Sequence, residues 1–231
     1  MLGPQIPFLA CISPADRARL TEHAVNRWLG RGDILYLAGD SRPLIYLVTR
    51  GAIKLVGRDR RGNEAVLGLA LPGDLVGAEA AIDGLSQPTD AIAAAPSSVL
   101  AIETARLLDA METDGRAAVA VARSVSTRLR WSYASTLERS ARDAPARLAA
   151  RILELAEAIG RPRGGAIEVD LPMARTDLAG LAGMCRESAS KAMGALRREG
   201  VLDFRGRHIR ILRPDLLDRV RSEGLSRPGE T

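Results

Sequence analysis

The feature that most constrains the fold is an abrupt change in the sequence near Glu103. Between residues 30 and 103, short apolar runs alternate with Gly-Asp and Gly-Asn turn sequences about every 10 residues. From residue 104 to 142 there is no proline and only one glycine, Gly115. The first pattern predicts short antiparallel strands in a small sandwich or jelly roll, and the second predicts helices. The predicted strands cover residues 34–37, 44–49, 52–57, 65–70 and 97–102.

The helical segment predicts a short helix and then a long helix that begins near Gly115. One stripe along the long helix alternates spacings of four and three, as a coiled-coil seam does: Ala118, Ala122, Val125, Leu129, Ser132 and Thr136. A second seam through Leu129, Tyr133 and Leu137 fits nearly as well. A long exposed helix with such a stripe needs a partner, and a second copy of the chain is the simplest one. Packing against the chain's own strands is the alternative.

The remainder of the chain predicts a winged helix-turn-helix. Asp143 and Pro145 are typical of a helix start, and Gly160 ends that helix before a short strand over residues 166–172. Two helices over residues 177–182 and 186–198 meet at Gly183, where the small Ala179 permits a close crossing. Gly200 closes the second helix. A hairpin with the tip Arg205-Gly206-Arg207 follows.

Positive charge is concentrated in this last region. Residues 186–213 contain eight basic and three acidic residues, a balance of +5, which equals the net charge of the whole chain. A local basic patch on a neutral body is the electrostatic footprint of a protein that binds a phosphate backbone. The alternative is a solvated charged face without a partner.

The second helix predicts sequence-specific recognition of double-stranded DNA. Its N-terminal residues are those that reach base edges in the major groove, and here they are Arg186, Glu187, Ser190 and Lys191. Arginine and lysine can donate to guanine, and glutamate can accept from cytosine. An acidic residue beside phosphates disfavours a purely architectural DNA binder without sequence preference. The predicted contacts to the DNA backbone are Arg175, Arg197, Arg198, Arg205 and Arg207.

Enzymatic functions are disfavoured by counting. A jelly-roll metal enzyme of the cupin type needs several histidines, but the chain has only His23 and His208, and neither lies in the predicted strands of residues 30–103. No G-x-S-x-G sequence is present for a serine nucleophile. Cys11 and Cys185 are too few and too far apart for a metal site or a disulfide framework. No apolar run is long enough to span a bilayer and no signal peptide is evident, so we expect a cytoplasmic protein without a membrane partner.

Four segments together resemble the CRP/FNR family of bacterial transcription regulators, in the family's order over residues 7–217: RGDILYLAGD, LIYLVTRGAIKLV, LPGDLVGAEAAIDG and RTDLAGLAGMCRESASKAMGALRREGVL. The resemblance implies an α+β chain with three parts. These are a cyclic-nucleotide-binding-like β-roll that senses an effector over residues 1–110, a long dimerisation helix and hinge over 111–142, and a winged helix-turn-helix DNA-binding domain over 143–231. It also implies a homodimer on a palindromic operator, with RNA polymerase as a further partner.

The resemblance assigns roles to single residues. Arg186, Glu187 and Lys191 fall on the family's base-reading positions, the last of which is usually arginine, and Glu187 with Ser190 fits the Glu-x-x-Ser pattern of the FNR-like branch. It implies a half-site of the TGA type, with softer discrimination where Lys191 lacks the arginine fork. Cys185 occupies the position of the usual Ser or Thr N-cap. There its thiol is either a redox handle or a poor cap that packs.

The same resemblance places a candidate effector pocket at Gly77, Ala78, Glu79, Pro88 and Thr89. Members that bind cyclic AMP have glutamate after the glycine and Arg-Ser eleven and twelve residues beyond it, where this chain has Ala78, Pro88 and Thr89. No basic residue lies between Arg61 and Arg106. We therefore do not expect the usual dependence on cyclic AMP, because a buried phosphate needs a countercharge. A cyclic-nucleotide-responsive regulator with a divergent pocket is the alternative.

No cofactor is expected from the sequence. An FNR-type cluster needs four thiolates, and a haem would have to use His23 or Cys11. The stretch GLSQPTDA is polar and uncharged apart from Asp90, which fits a modest neutral ligand without identifying it. The dimer contacts expected on the long helix are Val125, Leu129, Ser132, Tyr133 and Thr136.

Overall fold

A computed structural model describes residues 8–41, 43–58, 64–141 and 143–225. They form two compact units, the first ending at Trp131 and the second beginning at Ser132. The first unit is a β-roll with helices, and the second is a small helical domain with its own sheet. The predicted order, in which strands precede a long helix and a helix-turn-helix, is the order observed.

The roll consists of two antiparallel four-stranded sheets, with strand orders β1-β8-β3-β6 and β2-β7-β4-β5. Alternation along β3 decides its packing: Tyr46 and Val48 face the second sheet, and Ile45 and Leu47 face the helices. The strands are β1 (Val25–Leu29), β2 (Ile34–Tyr36), β3 (Leu44–Arg50), β4 (Ile53–Arg58), β5 (Glu64–Ala70), β6 (Leu75–Val76), β7 (Asp90–Ala93) and β8 (Ser97–Glu103).

All five predicted strands are present, as β2, β3, β4, β5 and β8. The sequence did not predict β1, β6 and β7, nor the helix α2 (Ala78–Asp83) between them. β1 is an edge strand in which Val25 and Trp28 are exposed, so it lacks an alternating apolar signal. β7 has the sequence DAIA, whose small residues carry little strand propensity of their own.

The helices of the first unit cover one face of the roll. A 3-10 helix (Phe8–Cys11), α1 (Pro14–Thr21) and α3 (Thr104–Thr113) pack there with the start of α4 (Gly115–Ala141). The predicted start of the long helix at Gly115 matches its observed start. Ala117, Ala120 and Val121 of α4 are buried against the roll, while Leu129, Tyr133 and Leu137 are exposed. One face of the helix therefore packs on its own strands and another apolar stripe is left uncovered.

The second unit begins with the end of α4 and continues with α5 (Ala144–Ile159). The Asp143 carboxylate caps α5 by accepting from the Ala146 N–H at 2.9 Å, as predicted. The sheet order is β11-β12-β10-β9. The elements are β9 (Arg161–Arg163), β10 (Ala166–Asp170), α6 (Arg175–Leu181), α7 (Arg186–Arg198), β11 (Leu202–Arg205), β12 (His208–Ile211) and α8 (Pro214–Glu223).

The predictions for this unit differ from the structure in the bounds of two elements and in two missed elements. The first helix of the pair spans Arg175–Leu181 in place of residues 177–182, and β10 ends at Asp170, two residues before the predicted end of its strand, while α7 has the predicted bounds. The sequence did not predict β9 or α8. Leu217 and Val220 of α8 are buried, so this helix completes the core beside α5. Across the described ranges, no helix has the length and apolarity to cross a membrane.

Candidate nucleic-acid interface

The turn between α6 and α7 depends on Gly183. Its φ of +62° is in the left-handed region, which glycine adopts without strain. The Met184 N–H donates to the Ala179 carbonyl at 3.0 Å, and Ala179 is buried where the helices cross. Arg147 of α5 donates from Nη1 to the Gly183 carbonyl at 3.3 Å. The sequence thus forms a helix-turn-helix whose turn is hydrogen-bonded to α5.

Helix α7 has one buried and one exposed face. Its buried side chains are Ala189, Ala192, Met193 and Leu196. The four predicted base-reading residues are all exposed on the opposite face: Arg186, Glu187, Ser190 and Lys191. The structure therefore brings these side chains together at the N-terminal end of α7, as the helical period required.

Glu187 is held in its charged form. The hydrogen bond from its own backbone N–H lowers the pKa of the Glu187 carboxyl, and the Cys185 thiol and the charges of Arg186 and Lys191 act in the same direction. An ionised carboxylate only accepts hydrogen bonds. Glu187 therefore matches a base edge that donates, which in the major groove is the N4 amine of cytosine or the N6 amine of adenine.

Cys185 is the N-cap residue of α7, as predicted. It is exposed and makes no side-chain capping hydrogen bond, and its Sγ lies 3.2 Å from the Ser188 Oγ. The geometry is that of a weak cap. A redox role for this thiol stays a prediction.

A cavity of about 440 Å³ opens between α6, α7 and β11. Arg175, Arg186 and Ser190 line it together with Phe204. One predicted backbone-contacting residue and two predicted base-reading residues therefore share one concave surface. Phe204 also lines this concave surface, and nothing in the sequence assigned it a role.

The wing is the hairpin of β11 and β12, whose turn contains Gly206 at a φ of +61°. Arg205 and Arg207 are exposed on either side of that glycine. Arg197 and Arg198 are exposed at the end of α7, and the Arg197 Nε lies 2.8 Å from the Asp203 carboxylate. The ion pair of Arg197 was not foreseen, because its partner lies on the neighbouring strand.

The predicted effector pocket lies around α2. Gly77 caps this helix at a φ of +85°, Ala78 is buried, and Pro88 is exposed. The Thr89 side chain hydrogen-bonds with Tyr36, whose pKa burial raises to about 12. Glu79 pairs with Arg128 of α4.

Arg128 is the residue of this region that the sequence missed. It lies on the long helix within the first unit, and its Nη2 donates to the Leu75 carbonyl of β6 at 3.0 Å. Burial lowers the pKa of the Arg128 guanidinium. Three buried polar atoms nearby have no hydrogen-bond partner among the described residues: Tyr46 Oη, Gln87 Oε1 and Arg128 Nε. A cation therefore lies beside Glu79 of the predicted pocket, although residues 62–105 contain none.

Within the part of the chain that the structure describes, no group of three or more His, Cys, Asp and Glu side chains is placed to hold a metal ion.

Comparison with known proteins identifies both halves of the chain. The model of the cyclic nucleotide-binding domain matches residues 26–114, and that of the Crp-like helix-turn-helix domain matches residues 146–220. The fumarate nitrate reduction regulatory protein of Klebsiella oxytoca is 30% identical over 187 residues, which cover 81% of this chain and 74% of that protein. The CRP-like cAMP-activated global transcriptional regulator of Mycobacterium tuberculosis is 23% identical over 200 residues, 87% of this chain and 89% of that protein.

Solved structures agree with this result. FixK2 from Bradyrhizobium japonicum has a TM-score of 0.77 at 25% identity, with 85% of this chain and 96% of that chain covered. A CRP-family transcriptional regulator from Thermus thermophilus has a TM-score of 0.70 at 27% identity, with 87% and 98% covered. The predicted fold class and the prediction of a regulator in place of an enzyme are confirmed. The chain belongs to the CRP/FNR family and is a transcription regulator with a helix-turn-helix DNA-binding domain.

Proposed function

We propose that the protein is a homodimer that reads a palindromic operator with Arg186, Glu187, Ser190 and Lys191 and is not controlled by cyclic AMP in the usual way. The observation that carries the proposal is the exposed face of α7, where an ionised glutamate lies between basic side chains beside an arginine-rich wing. DNA phosphates repel a carboxylate, and a hydrogen bond that the carboxylate accepts from a base edge offsets this repulsion. RNA polymerase is the proposed second partner, and a DNA partner implies a cytoplasmic location.

The proposed half-site is of the TGA type. In it, Arg186 and Lys191 donate to guanine and Glu187 accepts from cytosine. The experiment is a fluorescence-anisotropy titration of a palindromic TGTGA-type duplex, with a scrambled duplex at the same salt concentration as control. Preference for the palindromic duplex supports the proposal. Equal affinity for the two duplexes contradicts this half-site.

A matched pair of variants tests the role of Glu187. Glu187→Ala should lose the preference for the C·G pair when that pair is exchanged in the duplex, because no acceptor then faces the cytosine amine. Glu199→Ala removes an exposed carboxylate just beyond the other end of α7 and should keep the preference. An unchanged preference in Glu187→Ala would show that another residue reads this pair.

Backbone contacts are proposed for Arg175, Arg197, Arg198, Arg205 and Arg207, which are all exposed. Removing one phosphate contact should lower the slope of log affinity against log salt by about 0.9 and leave sequence preference unchanged. Arg210→Ala on β12, also exposed but outside this set, is the control.

The proposed dimer forms through the exposed stripe of α4. Leu129, Tyr133 and Leu137 are 49%, 62% and 69% exposed at successive intervals of four residues. Val125 of the other predicted seam is partly covered, and Ser132 and Thr136 add little apolar area. The exposures favour the seam through the three large side chains, because an uncovered apolar stripe on a helix is stabilised by burial against a second copy.

Cyclic-nucleotide control is the competing proposal, because one relative of this chain is a cAMP-activated regulator. Against it stands the pairing of Arg128 with Glu79, which already neutralises a largely buried cation beside the predicted pocket. An entering phosphate would have to displace Glu79 and leave that carboxylate without its partner. The titration above is therefore repeated with saturating cyclic AMP. Unchanged binding supports our proposal, and binding that appears only with the nucleotide supports the alternative.

A further inference from the structure

The base of the wing contains an arrangement of side chains that the proposed contacts do not explain. Phe204, half-buried in β11, has two guanidinium groups over its ring. The Cζ atom of Arg175 lies 5.1 Å from the ring centre and that of Arg197 lies 5.2 Å from it. The two arginines come from opposite ends of the helix-turn-helix, since Arg175 begins α6 and Arg197 is near the end of α7.

These distances are those of cation–π contacts, in which the face of an aromatic ring attracts a guanidinium group. A stacked guanidinium keeps its N–H donors at its edges, where they remain available to a planar anion or a phosphate. The ring therefore restricts the rotamers of both side chains without using their hydrogen-bond donors.

The charge balance of this cluster is positive. The two Cζ atoms are at most about 10 Å apart, because both lie close to one ring. Asp203 pairs with Arg197 at 2.8 Å, and within the described ranges no carboxylate lies in ion-pair distance of Arg175. Two cations gathered around one ring repel each other, and a phosphate between them would relieve that repulsion. Because Asp203 offsets only one of the two charges, the cluster keeps a positive charge among the described residues to which a phosphate can bind.

We propose that Phe204 is a positioning residue for DNA binding: it holds Arg175 and Arg197 in the rotamers that contact the phosphate backbone. The proposal rests on the proposed DNA contacts of these two arginines. It adds a residue that does not touch DNA itself and explains why an aromatic ring stands directly before the basic tip of the wing. The cavity beside α7 is lined by both Arg175 and Phe204, so the cluster of Phe204 and its two arginines borders the surface that carries Arg186 and Ser190.

The test compares Phe204→Met, which keeps apolar volume without a ring, with Phe204→Tyr, which keeps the ring. Loss of two exposed cation–π contacts should weaken binding of Phe204→Met roughly 5- to 30-fold for the palindromic TGTGA-type duplex. The scrambled duplex should lose affinity by the same factor, because phosphate contacts carry no sequence information. Phe204→Tyr should bind like the unmodified protein. Leu212→Ala, which shortens an exposed leucine after β12, is the control for a general loss of apolar surface.

A thermodynamic cycle separates positioning from a merely structural role. In the background Arg175→Ala/Arg197→Ala there are no guanidinium groups to hold, so Phe204→Met should then leave affinity unchanged. A structural role would cost the same factor in both backgrounds. Thermal unfolding of each variant checks that the domain is intact, and Phe204→Leu replaces the methionine variant if that one does not fold.

Three results would overturn the proposal: Phe204→Met binds as tightly as the unmodified protein, it loses the same factor without the two arginines, or it alters the ratio between the two duplexes. Failure of the unmodified protein to bind either duplex at low salt would instead refute the proposed function, and this inference with it. That outcome is visible before any variant is made.

Discussion

Replacing Arg151 by methionine should destabilise the second unit by about 3–5 kcal/mol, the usual cost of removing one partner of a buried ion pair. Arg151 is 1% exposed and is among the largest fully buried side chains of the chain. Its guanidinium donates to Glu154 at 2.8 Å and also pairs with Glu138, near the end of α4. Methionine fills the space of the aliphatic stem but leaves two largely buried carboxylates facing a site without its cation.

The magnitude follows from the two contacts. At an effective dielectric constant of about 20, one pair of charges 4 Å apart interacts by roughly 4 kcal/mol, before the desolvation that opposes it. Glu138 and Glu154 are only 14% and 23% exposed, so water recovers little of this interaction once the arginine is gone. In a domain of this size, about 1 kcal/mol corresponds to about 4–8 °C in the unfolding midpoint. The expected decrease is therefore more than about 10 °C.

The loss should depend on the two charges that face Arg151. Glu138→Gln and Glu154→Gln keep the size of each side chain and remove its charge. Added to Arg151→Met, they should recover part of the lost stability, because no carboxylate then faces the site of the missing cation.

The assay is urea unfolding followed by circular dichroism. Arg219→Met, which removes an exposed arginine of α8, is the matched control and should change stability by less than about 0.5 kcal/mol. A loss below about 1 kcal/mol in Arg151→Met, or no recovery of stability with the two glutamine substitutions, would refute the reasoning.

Three further predictions concern recognition, assembly and the roll. Because the pKa of Glu187 lies below its ordinary value, the preference for C·G should persist from pH 8 to pH 5.5 in anisotropy titrations; its loss above pH 5.5 would contradict an ionised reader. Leu129→Glu should give a monomer by light scattering, whereas Leu108→Glu, at an exposed leucine of α3, should not change the mass. The pKa of Tyr36, raised to about 12, implies stability that is complete below pH 10 and lost between pH 10 and 12, at most about 3 kcal/mol. In Tyr36→Phe this alkaline loss should be absent in urea unfolding at pH 9 and 11.5.

Local patterns sufficed for much of the fold. Helix α7 could be bounded from Gly183, Gly200 and its apolar period, and the start of α4 from Gly115. Strand β1 could not be found in this way, because it pairs with β8 more than 60 residues later and exposes its aromatic side chain. Its existence is decided by backbone hydrogen bonds to a distant strand, about which five local residues carry no information.

The face of α7 that carries Arg186 and Glu187 could be predicted for the same local reason, since a helical period assigns each position to a side. The Phe204 cluster could not. Its members lie on α6, α7 and β11, and the ring contacts exist only because the sheet places β11 beside the end of α7. Arginine is also too common in this chain for its type to mark a role.

In the roll, the structure changes the reason for expecting no usual dependence on cyclic AMP. The absence of basic residues from 62 to 105 suggested a pocket without a countercharge for phosphate, yet α4 supplies Arg128 from outside that range. A buried arginine alone would favour an anionic ligand. Glu79 alters that inference, because it already pairs with this guanidinium and would be left partly buried without that partner if a phosphate took its place. In this roll the cation that could meet a phosphate is present but already paired with Glu79. Glu79→Gln, which removes that charge from beside Arg128, is therefore the variant in which binding of a cyclic nucleotide should increase.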